Sequence, residues 1–157
     1  GRPLFVRTPE SAFTLANFCR MHLLSALSTL RIGLDILRRE ENIRVERICA
    51  HGGFFKTPGV GQRILAAAVG APVSVMETAG EGGPYGMALL CAYMLWRRKG
   101  ETLEEYLDNR VFADAGVSTV LPDSVDAAGF TSFLERYKAA FPLEQLAVET
   151  LKMEKNT

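Results

Sequence analysis

The chain has 157 residues, 48% of them hydrophobic and 23% charged, and its eighteen basic residues balance eighteen acidic ones. The length suits one domain able to bury a core, and the even charge excludes a basic nucleic-acid surface and an acidic solvating tail. The longest apolar run, Met87 to Trp96, is too short to cross a bilayer, which takes about 20 residues.

Ser11 to Glu41 is expected to form one long helix. Leu15, Cys19, Leu23, Ala26, Leu30, Leu34 and Leu37 recur at three- and four-residue steps, and Met21, Leu24, Leu27, Ile32 and Ile36 form a second apolar set on other faces. A helix apolar on more than one side is usually packed between neighbours. Arg44 to Ala50 reads as a short strand, broken by Gly52 and Gly53. A helix is then expected from Thr57-Pro58 to about Val69, with Thr57 as N-cap, Pro58 at the first helical position and Gly70 as the C-terminal cap.

Pro72 to Glu77, "PVSVME", is a second strand rich in β-branched residues, and the glycine-rich "TAGEGGP" leads into a helix from about Tyr85 to Arg98, ended by Gly100. Alternating helices and strands predict an α/β domain with these two strands parallel. Thr102 and Glu105 form a capping box for a short helix to about Arg110, and "VSTVLPD" reads as an extended connector. Asp126 to Phe141 and Leu143 to Met153 are two further helices, divided at Pro142. Two strands are few for so many helices, since a sheet commonly has about five or six. Leu4 to Val6 is a candidate third, and the deficit suggests that leading strands are missing from an incomplete domain.

Two stretches point to chemistry. "HGGFFKT", His51 to Thr57, falls between the carboxyl end of a strand and the start of a helix, where open α/β sheets bind ligands. Glycine at 52 and 53 admits a flat ring or a phosphate close to the backbone; the plainer alternative is a tight turn. The G-x-x-x-x-G-K-[ST] spacing of a Walker A loop is absent, although Lys56 precedes Thr57 as in its ending. Phe54 and Phe55 are candidates for stacking on a base or filling the core, one of them for each task. "TAGEGGPYGMA", Thr78 to Ala88, lets a helix approach a sheet or a ligand closely, and by itself reads as a loop with a tight helix contact. Glu77 and Glu81 are expected to be solvated loop charges, His51 a neighbour of the site, and His22 a core or interface histidine. Cys19, Cys49 and Cys91 lack C-x-x-C spacing and suit reduced, buried thiols in a cytoplasmic protein, with no metal site.

"ICAHGGFFKTPGVGQRILAAAVGAPVSVMETAGEGGPYGMALLCAYM", preceded by "LANFCRMHLLSALSTLRIGLDIL", resembles the carboxyl-terminal domain of FGGY carbohydrate kinases, most closely the xylulokinase and ribulokinase branch. Gly52, Gly53, Thr57, Gln62, Val73 to Val75, Gly86 and Ala88 carry the likeness, which is close over residues 14 to 96 and looser beyond. It implies a ribonuclease-H-like, actin-like ATPase domain, helix-rich and incomplete, with residues 1–157 as the later part of the ATP-side domain and 101–157 as its helical tail. It also implies ATP with Mg2+, transfer of the γ-phosphoryl group to a pentulose or related sugar, and a nucleoside site at Gly52, Gly53, Phe54 and Thr57. The catalytic base and the sugar contacts would lie in a preceding domain, so the chain alone would be inactive. Phe54 and Phe55 depart from the small residues usual after the two glycines, and Tyr85 and Met87 are bulkier than usual. The competing expectations are a non-catalytic actin-like nucleotide-binding module and a plain interaction domain. Self-association as a homodimer is expected from exposed apolar faces and strand edges.

Overall fold

A computed structural model of the chain describes residues 4–77 and 82–151. In order these form α1 (Leu15–Glu40), β1 (Ile48–Ala50), a 3-10 turn (Gly53–Phe55), α2 (Val60–Val69), β2 (Val73–Met76) and α3 (Gly82–Trp96). They continue with α4 (Leu103–Tyr106), a π turn (Leu107–Val111), β3 (Val117–Val120), α5 (Ser124–Ala139) and α6 (Phe141–Thr150). The described residues fall into two compact units, Arg44–Ser124 and the segments on either side of it. Residues 101–124 therefore belong with the sheet.

The flanking unit holds α1, most of α5, and α6. Thr14 caps α1, its hydroxyl accepting the Asn17 N–H at 3.2 Å. The better covered side of α1 runs through Met21, Leu24, Ser28 and Ile32 and so draws mainly on the second apolar set, but the division is not clean: Leu23 and Leu34 of the first set are half-buried, whereas Leu15, Leu30, Leu37 and Ile36 are exposed. Ser28 is fully buried because its small hydroxyl is satisfied within the helix, donating to Leu24 O at 2.9 Å. Phe130 and Leu134 of α5 are buried, and Arg20 joins α1 to α5 through Asp126 at 3.3 Å. Leu4–Val6 forms no strand. His22 is exposed rather than a core residue, its ring edge-on to Phe18 at 4.6 Å. The break between the last two helices falls at Ala140, so Pro142 lies within the first turn of α6, where it gives up no helical hydrogen bond. Met153 is outside the described residues.

The central unit is built on a three-stranded sheet of order β1-β2-β3. β1 and β2 are parallel, with Ile48 opposite Val73 and Ala50 opposite Val75. β3, expected as a connector, is the third strand and runs antiparallel to β2, with Val73 opposite Val120 and Met76 opposite Val117. Polar groups knit it in, since the Ser74 and Thr119 hydroxyls share a hydrogen bond at 2.8 Å. The core lies where α2 meets the sheet: Ala66, Ala68, Val69 and Val73 have no exposed surface. Small side chains on α2 allow this close approach. Gly70 caps the helix in the left-handed conformation, donating to Ala66 O at 2.9 Å. The Thr102–Glu105 capping box forms as expected.

α3 begins at Gly82, three residues before the expected start, and buries none of its residues. All three cysteines are exposed rather than buried; Cys49 takes the outward position in β1, between the half-buried Ile48 and Ala50.

Candidate nucleotide site at the carboxyl ends of the parallel strands

Leaving β1, the chain passes His51 and turns at Gly52, whose φ of 103° and ψ of 178° lie in a region only glycine adopts without strain. Gly53–Phe55 then makes a single 3-10 turn, in which the Phe55 N–H donates to Gly52 O at 3.0 Å and the Lys56 N–H to Gly53 O at 3.2 Å. Thr57 does not cap α2. The helix starts three residues later, behind Gly59 at a φ of 75°, and its N-terminus has no side-chain cap. Thr57 and Pro58 fall on the link between the 3-10 turn and α2, and the positive φ of Gly59 keeps them from joining the helix. Thr57 is exposed on the connecting segment.

Phe54 and Phe55 meet edge to face, with centroids 5.2 Å apart. Phe54 is 39% exposed and lies against the first turn of α2; a Cβ on Gly61 would come 2.6 Å from its carbonyl oxygen and 3.0 Å from its ring. Phe55 is half-buried. Around Gly53, by contrast, nothing lies within 4 Å of where a Cβ would be. The result is an open glycine face beside a partly exposed aromatic ring.

His51 is exposed and packs its imidazole against Gly82, the first residue of α3. That contact brings the two glycine-rich stretches together at the same end of the sheet. Thr78 to Glu81 of the second stretch lie outside the described residues. Glu77 follows β2, its N–H donating to Gly116 O at 3.1 Å and its carboxylate packed over the same glycine. It borders a shallow depression of about 250 Å³ lined also by Tyr85, Arg110, Phe112 and Asp114. Arg110 is held there by donation to Trp96 O at 3.1 Å and Glu101 Oε2 at 3.2 Å, with its guanidinium over the Tyr106 ring at 4.8 Å. Neither Arg110 nor Asp114 stands out in the sequence, since no spacing links them to Glu77; the pairing of β3 with β2 is what brings their segment alongside. Among the described residues no group of three or more His, Cys, Asp or Glu side chains is placed to hold a metal ion, and no helix is long and apolar enough to cross a membrane.

This layout can offer backbone N–H groups and a ring face to a flat, polar ligand. Residues 1–95 match the C-terminal domain of the FGGY family of carbohydrate kinases. The chain belongs to this family. Membership implies the actin-like ATPase fold, with which the helix-rich layout and small three-stranded sheet are consistent, and it implies a carbohydrate kinase domain that uses ATP. The match ends within α3, so α4, β3, α5 and α6 lie beyond it. No curated protein matches the chain significantly.

Proposed function

We propose that the Gly52–Phe55 turn, with Thr57 beyond it, is the adenosine side of an ATP site in a kinase for a pentulose or related sugar of the xylulokinase and ribulokinase branch. The observation that supports it is the open glycine face at Gly53 beside the partly exposed ring of Phe54, at the carboxyl ends of two parallel strands. Gly52 and Gly53 would let the nucleoside approach the backbone, and Phe54 would offer its ring. Phosphoryl transfer needs chiefly positioning and charge neutralisation. In this reading Mg2+ would be bound through the nucleotide phosphates together with waters and one or two carboxylates, as is usual for this ion, and none of those carboxylates is assigned to this chain. No catalytic base is assigned to this chain, so it should not phosphorylate a sugar alone; turnover of a pentulose by the purified chain would overturn that part. Its proposed compartment is the cytoplasm, which keeps thiols such as Cys19, Cys49 and Cys91 reduced.

A Gly53→Val substitution tests the site directly. The space around Gly53 is open within the chain, so the variant should fold while its side chain blocks an approaching ligand. Calorimetric titration should show ATP binding to the parent chain and at least tenfold weaker binding to the variant. Equal affinity would sink the proposal. The exposed apolar residues of α3, Met87, Met94, Leu95 and Trp96, favour self-association as a second property, and a monodisperse monomer in light scattering would count against it.

A further inference from the structure

We infer that Gln62 is a positioning residue for the Gly52–Phe55 turn, an inference that rests on reading that turn as the adenosine wall. Gln62 is a buried polar side chain, 4% exposed, in the first turn of α2. Its Nε2 donates to two backbone carbonyls on different strands, Ser118 O at 2.9 Å and Val73 O at 3.2 Å, with the Ser118 Oγ at 3.5 Å. One amide thus ties the start of α2 to both β2 and β3. It lies at the end of α2 that has no side-chain cap from Gly59.

The neighbouring residue carries the constraint outward. Gly61 is the seat of Phe54, in contact with both its carbonyl oxygen and its ring. The turn's own hydrogen bonds, Phe55 N–H to Gly52 O and Lys56 N–H to Gly53 O, are internal to it and do not fix it against the sheet. The depth at which Gln62 holds α2 therefore sets where Gly61 lies, and Gly61 sets the orientation of Phe54 and the carbonyl direction of the turn. Gln62 touches no ligand in this scheme; it acts through Gly61 and Phe54.

Gln62→Met keeps the length and approximate shape of the side chain and removes every hydrogen bond that its amide donates. In NMR spectra of the 157-residue chain, the Gly61 Hα that faces Phe54 should lose its ring-current shift. Cross-strand contacts between Val75 and Ser118, which are paired in the sheet, should persist. ATP affinity should fall at least fivefold. Gly61→Ala attacks the next link and leaves the Gln62 amide intact; it should move the Phe54 resonances and weaken ATP to a similar degree. Unchanged Gly61 and Phe54 resonances in folded Gln62→Met would overturn the inference, as would parent-like ATP affinity in Gly61→Ala. Loss of the whole sheet in Gln62→Met would make Gln62 a residue of the fold in general and also count against it. Failure of the parent chain to bind ATP would defeat the nucleotide reading instead, and the resonance shifts would then decide the positioning role alone.

Discussion

Helices α2 and α3 belong to the same unit, and both are strongly apolar, yet α2 buries seven of its residues and α3 buries none. The residues of α2 that reach the sheet are small, with Ala66, Ala67 and Ala68 beside Val69, and they let the backbone lie close to Val73. α3 presents bulkier groups, with Met87 at 65%, Met94 at 76% and Trp96 at 64% exposure. Apolar content alone does not decide burial. What decides it is whether a facing surface of matching shape exists, and the sheet supplies one for α2. The two helices also flank the candidate site differently: α2 seats Phe54 on Gly61, whereas α3 meets His51 at Gly82. The glycine turn is thus anchored on a packed element on one side only.

The sharpest way to break this contrast is to place the same charge on each helix. Val69 is fully buried, so Val69→Asp forces an unpaired carboxylate into the α2–sheet seam. Burial of an uncompensated polar or charged group is among the few changes that cost more than about 4 kcal/mol. The variant should show no cooperative melting transition by circular dichroism. A normal melt would mean that the seam is far looser than its burial indicates.

The next effect falls on the turn itself. The φ of 103° at Gly52 is strained for any residue with a Cβ, at about 1–3 kcal/mol. No atom lies within 4 Å of that Cβ, so Gly52→Ala isolates backbone strain from packing. It should lower the denaturant midpoint by a corresponding amount and weaken ATP binding. Gly53→Ala, which needs no positive φ, should leave the midpoint nearly unchanged. If both alanine variants melt alike, Gly52 is not the pivot of the turn.

How much of this was legible beforehand depends on where each signal resides. The strands at Ile48–Ala50 and Val73–Met76, their parallel pairing, the Gly70 cap and the Thr102–Glu105 box are all encoded locally, in β-branched runs, a glycine and a spacing of three. β3 was not legible as a strand, because three of its four residues are exposed and its pattern lacks alternation. Its place comes from partners distant in sequence, namely Gln62, Ser74 and the backbone of β2. The start of α2 was misplaced for a related reason. Thr57-Pro58 is a good opening signal taken alone, but the 3-10 turn and the positive φ of Gly59 override it. For the proposed site, Gly52, Gly53, Phe54 and Phe55 stand out as candidates from their position after a strand. The contacts His51–Gly82 and Phe54–Gly61 were not, since nothing in the spacing says which side chain meets which glycine.

A smaller effect tests a locally encoded feature against the long-range ones. The Thr102 hydroxyl accepts the Glu105 N–H at 3.2 Å, and the Glu105 carboxylate accepts the Thr102 N–H at 2.9 Å. Thr102→Ala removes half of this box and should cost about 1 kcal/mol, read as a modest fall in melting temperature. ATP affinity should not move, because α4 makes no part of the turn. A change in affinity equal to that of Gly52→Ala would show that the two regions are coupled.

The smallest stability effect should come from α3, and it completes the comparison. Leu95 is 74% exposed and next to Trp96, so an aspartate there loses little burial and leaves no cavity. Surface changes of this kind usually stay within about 0.5 kcal/mol, and the melting curve of Leu95→Asp should overlay that of the parent. Its association should nevertheless change. If the exposed side of α3 mediates contact between copies, a charge among the exposed residues at its carboxyl end must be desolvated or left unpaired on association, and light scattering should shift toward the monomer. The same aspartate should abolish folding at Val69 and act only between molecules at Leu95. Should Leu95→Asp instead destabilise the isolated fold as much as Thr102→Ala, α3 would be packed in solution, and the contrast with α2 would disappear.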